Sequence, residues 1–344
     1  MRYWRHIVLL LLTAVFFLPG ASAQEGQEEE VDVPGIIFGH IGDAYEWHIT
    51  DWGDKKIAIH LPVILYDKAS GWHVFSSRHL EEGEYQGFHI AGADQPNEGK
   101  IVRSDGTRPF DISITKNVLS LMMSSLLLLV IVLLTARWYK RHNALDEAPR
   151  GLAAVMEPLV LMVHGMARDN IGEADYRRFS PYLCMAFFFI LLNNFLGIVP
   201  FFPGGANLTG NIAVTLVLAL FTFFTVNLFG TKHYYKDIFL PEVPGFLKPI
   251  MPVIEVFSAL MKPVSLTIRL FANMLAGHIM ILSLVCVIFI MAKYNAALFG
   301  SMTVVSVLLG VFMDALECLV AFIQAYVFTM LSSIYIGLAR QRGE

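Results

Sequence analysis

The chain has 344 residues, of which 56% are hydrophobic and 16% charged, and its mean hydropathy is +0.57. Soluble domains carry about 25% charged residues, so the composition argues against a wholly soluble protein. The chain has only three cysteines and many apolar residues, which excludes the disulfide-rich, disordered and collagen-like classes. Residues 1–116 hold 27 of the 54 charged residues. The net charge is −9 for residues 24–116 and +3 for residues 117–344, and the acidic part argues against a nucleic-acid partner. We therefore expect a water-facing region followed by a polytopic membrane domain.

Residues 1–23 have the pattern of a secretory signal peptide. Arg2 and Arg5 precede the apolar run Ile7–Leu18, and Ala21–Ala23 offers a cleavage site. The run is too short for a folded membrane span, although a first transmembrane helix is the alternative. Cleavage would place the segment that follows outside the cytoplasm.

Residues 24–116 are predicted to form a small, β-rich, extracytoplasmic extension. Lys56–Tyr66 and Trp72–Ser76 read as strands, with a turn at 67–71 between them. A second turn at 104–107 leads to a predicted strand at Phe110–Thr115. The extension contains six histidines, namely His40, His48, His60, His73, His79 and His89. They could form a metal site or have surface and packing roles, and their spacings match no ligand motif.

Hydropathy predicts five membrane spans in the membrane domain, residues 117–344. Segment 152–166 carries Glu157 and His164, and it fits an interfacial helix better than a span. Lys and Arg concentrate in alternate connections, which predicts an N-terminus outside the cytoplasm and a cytoplasmic C-terminus. No inverted repeat of the transporter kind is visible. The spans are about 118–136, 182–200, 212–230, 251–292 and 298–339.

The last two predicted spans are unusually long and contain the charges that lie at membrane depth. A helix of about 40 residues is about 60 Å long, whereas a bilayer core is about 30 Å thick, so each helix must tilt steeply or project from the membrane. In the first of these spans, Arg269 is the one charged residue between residues 263 and 292. The second span contains Asp314 and Glu317. Because an ionisable residue at this depth costs on the order of 2.5–3.5 kcal/mol, we expect these residues to be functional.

Helical periodicity assigns the polar residues of the first long helix to two faces. At 100° per residue, Ser265, Arg269, Asn273 and Ala276 share one face. His278 is nine residues beyond Arg269, and it therefore lies on the opposite face.

If the two long helices are antiparallel, two polar layers align. In such a pair, the residue numbers of two residues at equal depth add up to a constant, which we call the index sum. The sum is 593 for Arg269 with Gln324 and 595 for His278 with Glu317. The second layer lies about 13 Å further outward at 1.5 Å per residue. Glu317, Ala321 and Gln324 share one face of the last helix. The acid thus aligns with the histidine, and Arg269 is left for a carboxylate from outside the chain.

Two motifs in these helices resemble the signature of subunit a of F-type ATP synthases. They are Lys262–His278, with the sequence KPVSLTIRLFANMLAGH, and Gln324–Tyr335, which begins QAYVF. Asn194–Pro200 and Thr209–Asn211 resemble earlier motifs of the family more loosely. The resemblance covers about residues 150–340 and leaves residues 24–115 as an extension of unknown role.

The resemblance implies roles for individual residues. Arg269 matches the essential arginine that faces the proton-carrying carboxylate of the rotating c-ring. Gly197 and Ala213 depart from the family, because some members have polar side chains at these positions. Gln324, Asn273 and Ser265 match polar neighbours of that arginine. His278 and Glu317 match the pair that lines the outer half-channel, and Asp314 lies one turn from Glu317. Glu255 matches an acid near the cytoplasmic half-channel.

The resemblance further implies an all-α stator subunit of the bacterial inner membrane, with c-ring and b-type peripheral stalk subunits as partners. It implies no cofactor and no catalytic activity of the chain by itself. H⁺ is the expected transported ion, although the sequence leaves Na⁺ open because ligands on the ring mainly decide between the two. A self-contained proton-coupled transporter is the alternative, since it would use the same charges. A membrane hydrolase would need a nucleophile or a metal set such as HExxH, and the sequence contains neither pattern.

Overall fold

The structure is a computed structural model, and parts of the chain lie outside the residues that it describes. The predicted signal peptide 1–23 and His40 are among those parts. The described residues are 42–52, 55–68, 70–81, 83–92, 95, 97–142, 147–199, 204–206, 208–240, 248, 250–294 and 296–341.

The extension contains seven strands and one short helix in its described residues. Strands β1 and β2 form one antiparallel sheet, β3 pairs with both β4 and β7, and β5 pairs with β6. The elements are β1 Glu46–Trp52, β2 Lys55–His60, β3 Pro62–Asp67, β4 Gly71–Ser76, α1 Arg78–Glu81, β5 Phe88–Ile90, β6 Ile101–Arg103 and β7 Phe110–Asp111.

The prediction of a single strand at Lys56–Tyr66 is wrong, because the chain breaks at Leu61 into β2 and β3. The Leu61 N–H donates to the carbonyl of Tyr45, and Pro62 has no N–H with which to continue the first ladder. The predicted strand Phe110–Thr115 is also shorter than expected. Beyond β7 the pairing with β3 continues only in part. The N–H groups of Ile112 and Ile114 donate to carbonyls of β3, but the N–H of Ile64 donates to the Ser113 hydroxyl instead of to a backbone carbonyl.

Both predicted turns are present and have a local cause. The Asp67 carboxylate accepts hydrogen bonds from the N–H and hydroxyl of Ser70, and Gly71 follows with a φ of +84°. In the second turn the Asp105 carboxylate accepts from Thr107, and these hydrogen bonds lower the pKa of Asp105. The short polar side chains thus close both turns.

The two faces of the β4-β3-β7 sheet differ sharply. One face contributes Val63, Leu65 and Phe75 to the core of the extension, which also contains Tyr45 and Phe88. The other face carries exposed apolar side chains, with Trp72 62% exposed. On that face the cross-strand rows are Trp72–Tyr66–Phe110 and Val74–Ile64–Ile112.

The extension is joined to the first membrane helix, α2 (Lys116–Arg141), by hydrogen bonds as well as by the chain. The N–H of Lys116 donates to the Ala44 carbonyl, and the N–H of Asn117 donates to the Asp43 carboxylate. Thr115 caps the helix by accepting from Val118. These contacts fix the β-rich part directly on the beginning of α2.

Seven helices make up the described membrane domain, and four of them are long and apolar enough to span a membrane. A fifth candidate is the helix pair Ile212–Leu228 and Lys232–Phe239, which bends by 100° at the break between the two helices. This agrees with the predicted all-α polytopic architecture and its five spans. The helices after α2 are α3 Leu152–Ile171, α4 Tyr176–Ile198, α5 Ile212–Leu228, α6 Lys232–Phe239, α7 Met251–Tyr294 and α8 Ala296–Arg340.

Helix α4 lies at the centre of the bundle and contacts α3 and α8. Its Leu183, Phe187 and Ile190 are fully buried among apolar side chains of the neighbouring helices, including Leu270 of α7 and Phe328 of α8. The predicted interfacial helix 152–166 continues to Ile171 as α3 and contributes one buried face to this core. Its position at the membrane surface stays a prediction.

Helices α7 and α8 form the predicted antiparallel hairpin. His278 contacts Glu317, and the Lys262 ammonium lies 5.2 Å from the centre of the Tyr335 ring. The index sums of these two contacts are 595 and 597, as expected for helices that run in opposite directions. The steep tilt of both helices relative to a bilayer stays a prediction.

Candidate functional site

The predicted arginine face of α7 is an exposed stripe. Ser265, Arg269, Asn273 and Ala276 are all exposed, and Ala272 lies exposed beside them. Within the described residues, no hydrogen bond or ion pair joins the Arg269 guanidinium to another side chain. A guanidinium always carries its charge and has five N–H donors. Arg269 is therefore free to receive an acidic group from outside the chain.

The opposite face of α7 holds the predicted acid–histidine pair. His278 Nδ1 lies 3.2 Å from Glu317 Oε1, and the two side chains are 18% and 5% exposed. The atoms are at ion-pair distance but are not aligned as a hydrogen bond, and neither carboxylate oxygen of Glu317 has another hydrogen-bond partner among the described residues. A buried carboxylate that lacks donors is a place for water or for a proton.

Gly277 makes the close approach of Glu317 possible. A Cβ atom at this position would lie 2.9 Å from Glu317 Oε1 and 3.2 Å from its Cδ. Real Cβ contacts are longer than this, so any larger residue would displace the carboxylate. The sequence motif contained this glycine, but only the packing of α8 gives a reason for it.

The face of α8 that contains Glu317, Ala321 and Gln324 is buried, in agreement with its predicted periodicity. Gln324 lies in the interior, whereas Arg269 is exposed on the other helix. The pairing of Arg269 with Gln324 in one layer stays a prediction, and no hydrogen bond between the two side chains is present in the described part of the chain. Asp314, one turn from Glu317, is exposed.

Helix α4 adds polar groups to the neighbourhood of the pair. The Asn194 amide donates to the carbonyl of Ala321, 3.1 Å away, and Gly197 lies against the His278 ring. The side-chain oxygens of Asn193, Asn194 and Thr209 are buried without a hydrogen-bond partner among the described residues. Unsatisfied buried polar atoms are usually hydrated. The Asn194–Pro200 motif had marked this helix, but the contact with Ala321 depends on tertiary packing.

The other end of the hairpin carries a second polar group of residues. Glu255 lies close enough to interact electrostatically with Lys262 and Tyr234, and Lys262 covers the Tyr335 ring. Lys262, Tyr234 and Tyr335 line a cavity of about 10 Å³, which is about the space of one water molecule. Sequence analysis singled out Glu255 but missed the others, although the index-sum rule also pairs Lys262 with Tyr335.

A buried hydrogen-bond chain borders the same cavity. The Tyr182 hydroxyl and the Thr222 hydroxyl are 2.7 Å apart, and Thr222 is 3.2 Å from the hydroxyl of Ser332. The chain connects α4, α5 and α8 through apolar surroundings. Hydroxyl groups donate and accept at once, so this arrangement satisfies all three without water.

Within the part of the extension that the structure describes, which leaves out His40 and the side chain of His48, the histidines do not form a metal centre. No three His, Cys, Asp or Glu side chains there lie close enough to share an ion. His73 instead makes hydrogen bonds with Gln86 and Ser70.

These features define a multi-pass helical membrane protein whose long hairpin carries an exposed, unpaired arginine on one face and a buried acid–histidine pair on the other. Residues 121–337 match the family described as ATP synthase A chain. Residues 36–119 match a separate family, described as Domain of unknown function (DUF8433).

Several curated relatives are similar to the chain. ATP synthase subunit a 2 of Prosthecochloris aestuarii is 46% identical over 67% of this chain and 69% of its own length. ATP synthase subunit a of Pelodictyon phaeoclathratiforme is 46% identical over 67% and 66%, respectively. The chain thus spans about two thirds of the length of these relatives. ATP synthase subunit a of Anaeromyxobacter sp. is 36% identical over 92% of this chain and 72% of its own, so that match also includes much of the extension.

The chain belongs to the ATP synthase A chain family.

Proposed function

We propose that the chain is the stator subunit a of an F-type ATP synthase, which provides two proton half-channels beside a rotating c-ring. Proton flow through these half-channels would drive rotation of the ring and thereby ATP synthesis in partner subunits. The chain itself would bind no nucleotide. Its partners would be c-ring subunits, b-type peripheral stalk subunits and the lipid bilayer.

The exposed, unpaired Arg269 is the observation that carries the proposal. A charge at membrane depth that faces outward from its own protein is costly unless a partner meets it. A carboxyl group on a c-subunit would be such a partner. Arg269 would favour the ionised form of that carboxyl and so promote loss of its proton as each ring site passes.

Ser265 and Asn273 share the exposed stripe with Arg269 and would contact the same partner surface. Gln324 lies buried on α8 and would support the arginine layer from the other helix. The fixed positive charge of Arg269 would also keep protons from crossing directly between the two half-channels.

His278 and Glu317 would form the relay of the outer half-channel, with Asp314 at its exposed side. The unsatisfied oxygen of Asn194 supports this role, because the Asn194 amide contacts Ala321, one turn from Glu317, and its oxygen can hold a water there. Imidazole and carboxylate groups can both accept and donate a proton, so the adjacent pair can pass a proton along. Glu255 at the opposite end of the hairpin would serve proton exit.

We also propose a location and an orientation. The chain would lie in a bacterial inner membrane, with residues 24–116 outside the cytoplasm after signal-peptide cleavage and with a cytoplasmic C-terminus. The transported ion would be H⁺ rather than Na⁺. The basic end of α2, with Arg137, Lys140 and Arg141, supports this orientation.

A self-contained proton-coupled transporter would enclose its essential charges around its own substrate cavity. The exposure of Arg269 on the outer side of the hairpin favours the stator instead.

The test is ATP synthesis by membrane vesicles that contain the assembled complex and are energised by a proton gradient. We expect Arg269→Ala to abolish synthesis while the c-subunits still co-purify. Arg168→Ala, which removes an exposed charge at the end of α3, is the matched control and should retain synthesis. Retained synthesis in Arg269→Ala vesicles would refute the proposal, and synthesis driven by a sodium gradient would refute the ion assignment.

A further inference from the structure

The outer face of the β4-β3-β7 sheet is an apolar surface that the proposed function does not use. Five of its six side chains are exposed, and Val74 and Phe110 are 69% and 66% exposed. The Tyr66 and Trp72 rings are in contact across the strands, with their centroids 5.1 Å apart. Single exposed apolar side chains are ordinary, whereas a contiguous patch of them marks an interaction site. The six form the cross-strand rows Trp72–Tyr66–Phe110 and Val74–Ile64–Ile112.

This face is held close to the start of a helix long enough to span a membrane. The N–H groups of Ile112 and Ile114 donate to carbonyls of β3, so the chain stays paired with the sheet almost until α2 begins at Lys116. An extended chain places Ile112 at most about 14 Å, and Phe110 at most about 22 Å, from Lys116. The sheet is therefore joined to the helix by a short and hydrogen-bonded link.

The length of α2 places this link at the membrane surface. Its 26 residues are about 39 Å long at 1.5 Å per residue. A bilayer with its headgroup regions is about 40–45 Å thick, and the hydrocarbon core takes up about 30 Å of it. The first residue of α2 therefore lies at the headgroup layer, and the apolar face of the sheet begins directly beside that layer.

The charges beside the face differ from those of the extension as a whole. Residues 24–116 have a net charge of −9, but the exposed charged residues that flank the aromatic row along the chain are the bases Lys68 and Arg108. The acids of the three strands have partners elsewhere, since Asp111 accepts from the core residue Tyr45 and Asp67 accepts within its turn. Trp and Tyr are enriched at membrane–water interfaces, and bases beside an apolar surface are attracted to anionic lipids.

We propose that this face docks on the phospholipid surface of the bilayer at the beginning of α2. The apolar rows enter the headgroup layer, and Lys68 and Arg108 meet lipid phosphates. The docked sheet fixes the orientation of the β-rich extension relative to the membrane domain. This docking depends on α2 crossing a membrane, but it does not depend on the proposed proton path or on the direction of insertion.

The test is fluorescence quenching in the assembled complex, in vesicles of phosphatidylcholine and phosphatidylglycerol with a nitroxide on some of the headgroups. A bimane label is attached to Val74→Cys in a chain whose three native cysteines are replaced by alanine. Glu98→Cys is the matched control, because it is exposed between β5 and β6, which pack on the core side of the sheet. We expect at least about threefold stronger quenching at position 74 than at position 98.

A second variant separates docking from mere proximity to the membrane. Trp72→Ser combined with Phe110→Ser removes two exposed rings and leaves the core of the extension intact. We expect this change to lower the quenching at position 74 to the level at position 98. Three results would overturn the proposal. They are equal quenching at the two positions, unchanged quenching in the double variant, and a benzophenone crosslink from position 74 to another polypeptide, which would assign the face to a protein partner.

Discussion

The substitution Gly277→Ala tests the geometry of the acid–histidine pair without removing either charged group. The new methyl group would lie 2.9 Å from Glu317 Oε1, whereas ordinary contacts of a Cβ atom begin at 3.4 Å. The atom that must move is the end of a flexible side chain, so the carboxylate shifts by about 0.5 Å and the backbone of the hairpin stays in place.

The electrostatic effect of this shift follows from the His278–Glu317 distance of 3.2 Å. At an effective dielectric constant of about 20, the attraction between the carboxylate and a protonated imidazole is about 5 kcal/mol at this distance. A retreat of about 0.5 Å weakens it by about 0.7 kcal/mol. This corresponds to about a threefold change in an equilibrium constant. We therefore expect a modest, measurable loss of proton transfer rather than a loss of assembly.

The assay is the initial rate of proton-driven ATP synthesis in vesicles, normalised to the amount of assembled complex. Gly310→Ala on α8 is the matched control, because a Cβ atom there meets nothing within 4 Å. We expect about a threefold lower rate for Gly277→Ala and no loss for Gly310→Ala. Equal rates for the two variants would show that the position of the Glu317 carboxylate does not limit proton transfer.

Three further predictions concern stability. A side chain in Gly337→Ala would collide with the backbone carbonyl of Asn170, so the variant should lose about 1–3 kcal/mol in the free energy of unfolding, measured by thermal unfolding in detergent. Arg340→Ala should cost a similar amount, because it removes the hydrogen-bonded ion pair that the Arg340 guanidinium makes with the half-buried Asp175. A double-mutant cycle with Asp175→Asn should isolate this pair. Burial and a hydrogen bond to the Asp111 carboxylate of β7 raise the pKa of Tyr45. The contribution of Tyr45 to stability is therefore full below about pH 10 and falls as the pH rises further. Tyr45→Phe should flatten that decline in alkaline unfolding curves.

The hairpin was predictable because its determinants are periodic and local. Apolar length predicts two helices, the 100° step separates Arg269 from His278, and a short connection specifies the antiparallel register. The structure brings His278 and Glu317 together as the index sum requires. The same rule pairs Lys262 with Tyr335, a contact that charge alone did not suggest.

Other features depend on contacts that no local pattern encodes. The bend after Leu228 has one local determinant in the sequence, Thr231, whose hydroxyl caps the start of α6. Hydropathy alone did not reveal this bend, and the predicted span continued to residue 230. The break at Leu61 depends on Tyr45 and Pro62 acting together. The ion pair of Arg340 with Asp175 joins residues 165 positions apart, and only the packed bundle brings them within reach.

The hairpin geometry also constrains how protons could move. His278 and Arg269 lie on opposite faces of α7, and their positions differ by about 13 Å along its axis. A helix with its side chains is about 10–12 Å across, and its backbone N–H and C=O groups are already hydrogen-bonded to each other. A proton that arrives at the buried pair therefore has no direct route through α7 to the arginine face. We infer that a proton passing from this pair to a ring carboxyl that faces Arg269 would go around α7, by way of water or polar side chains, and not through the helix.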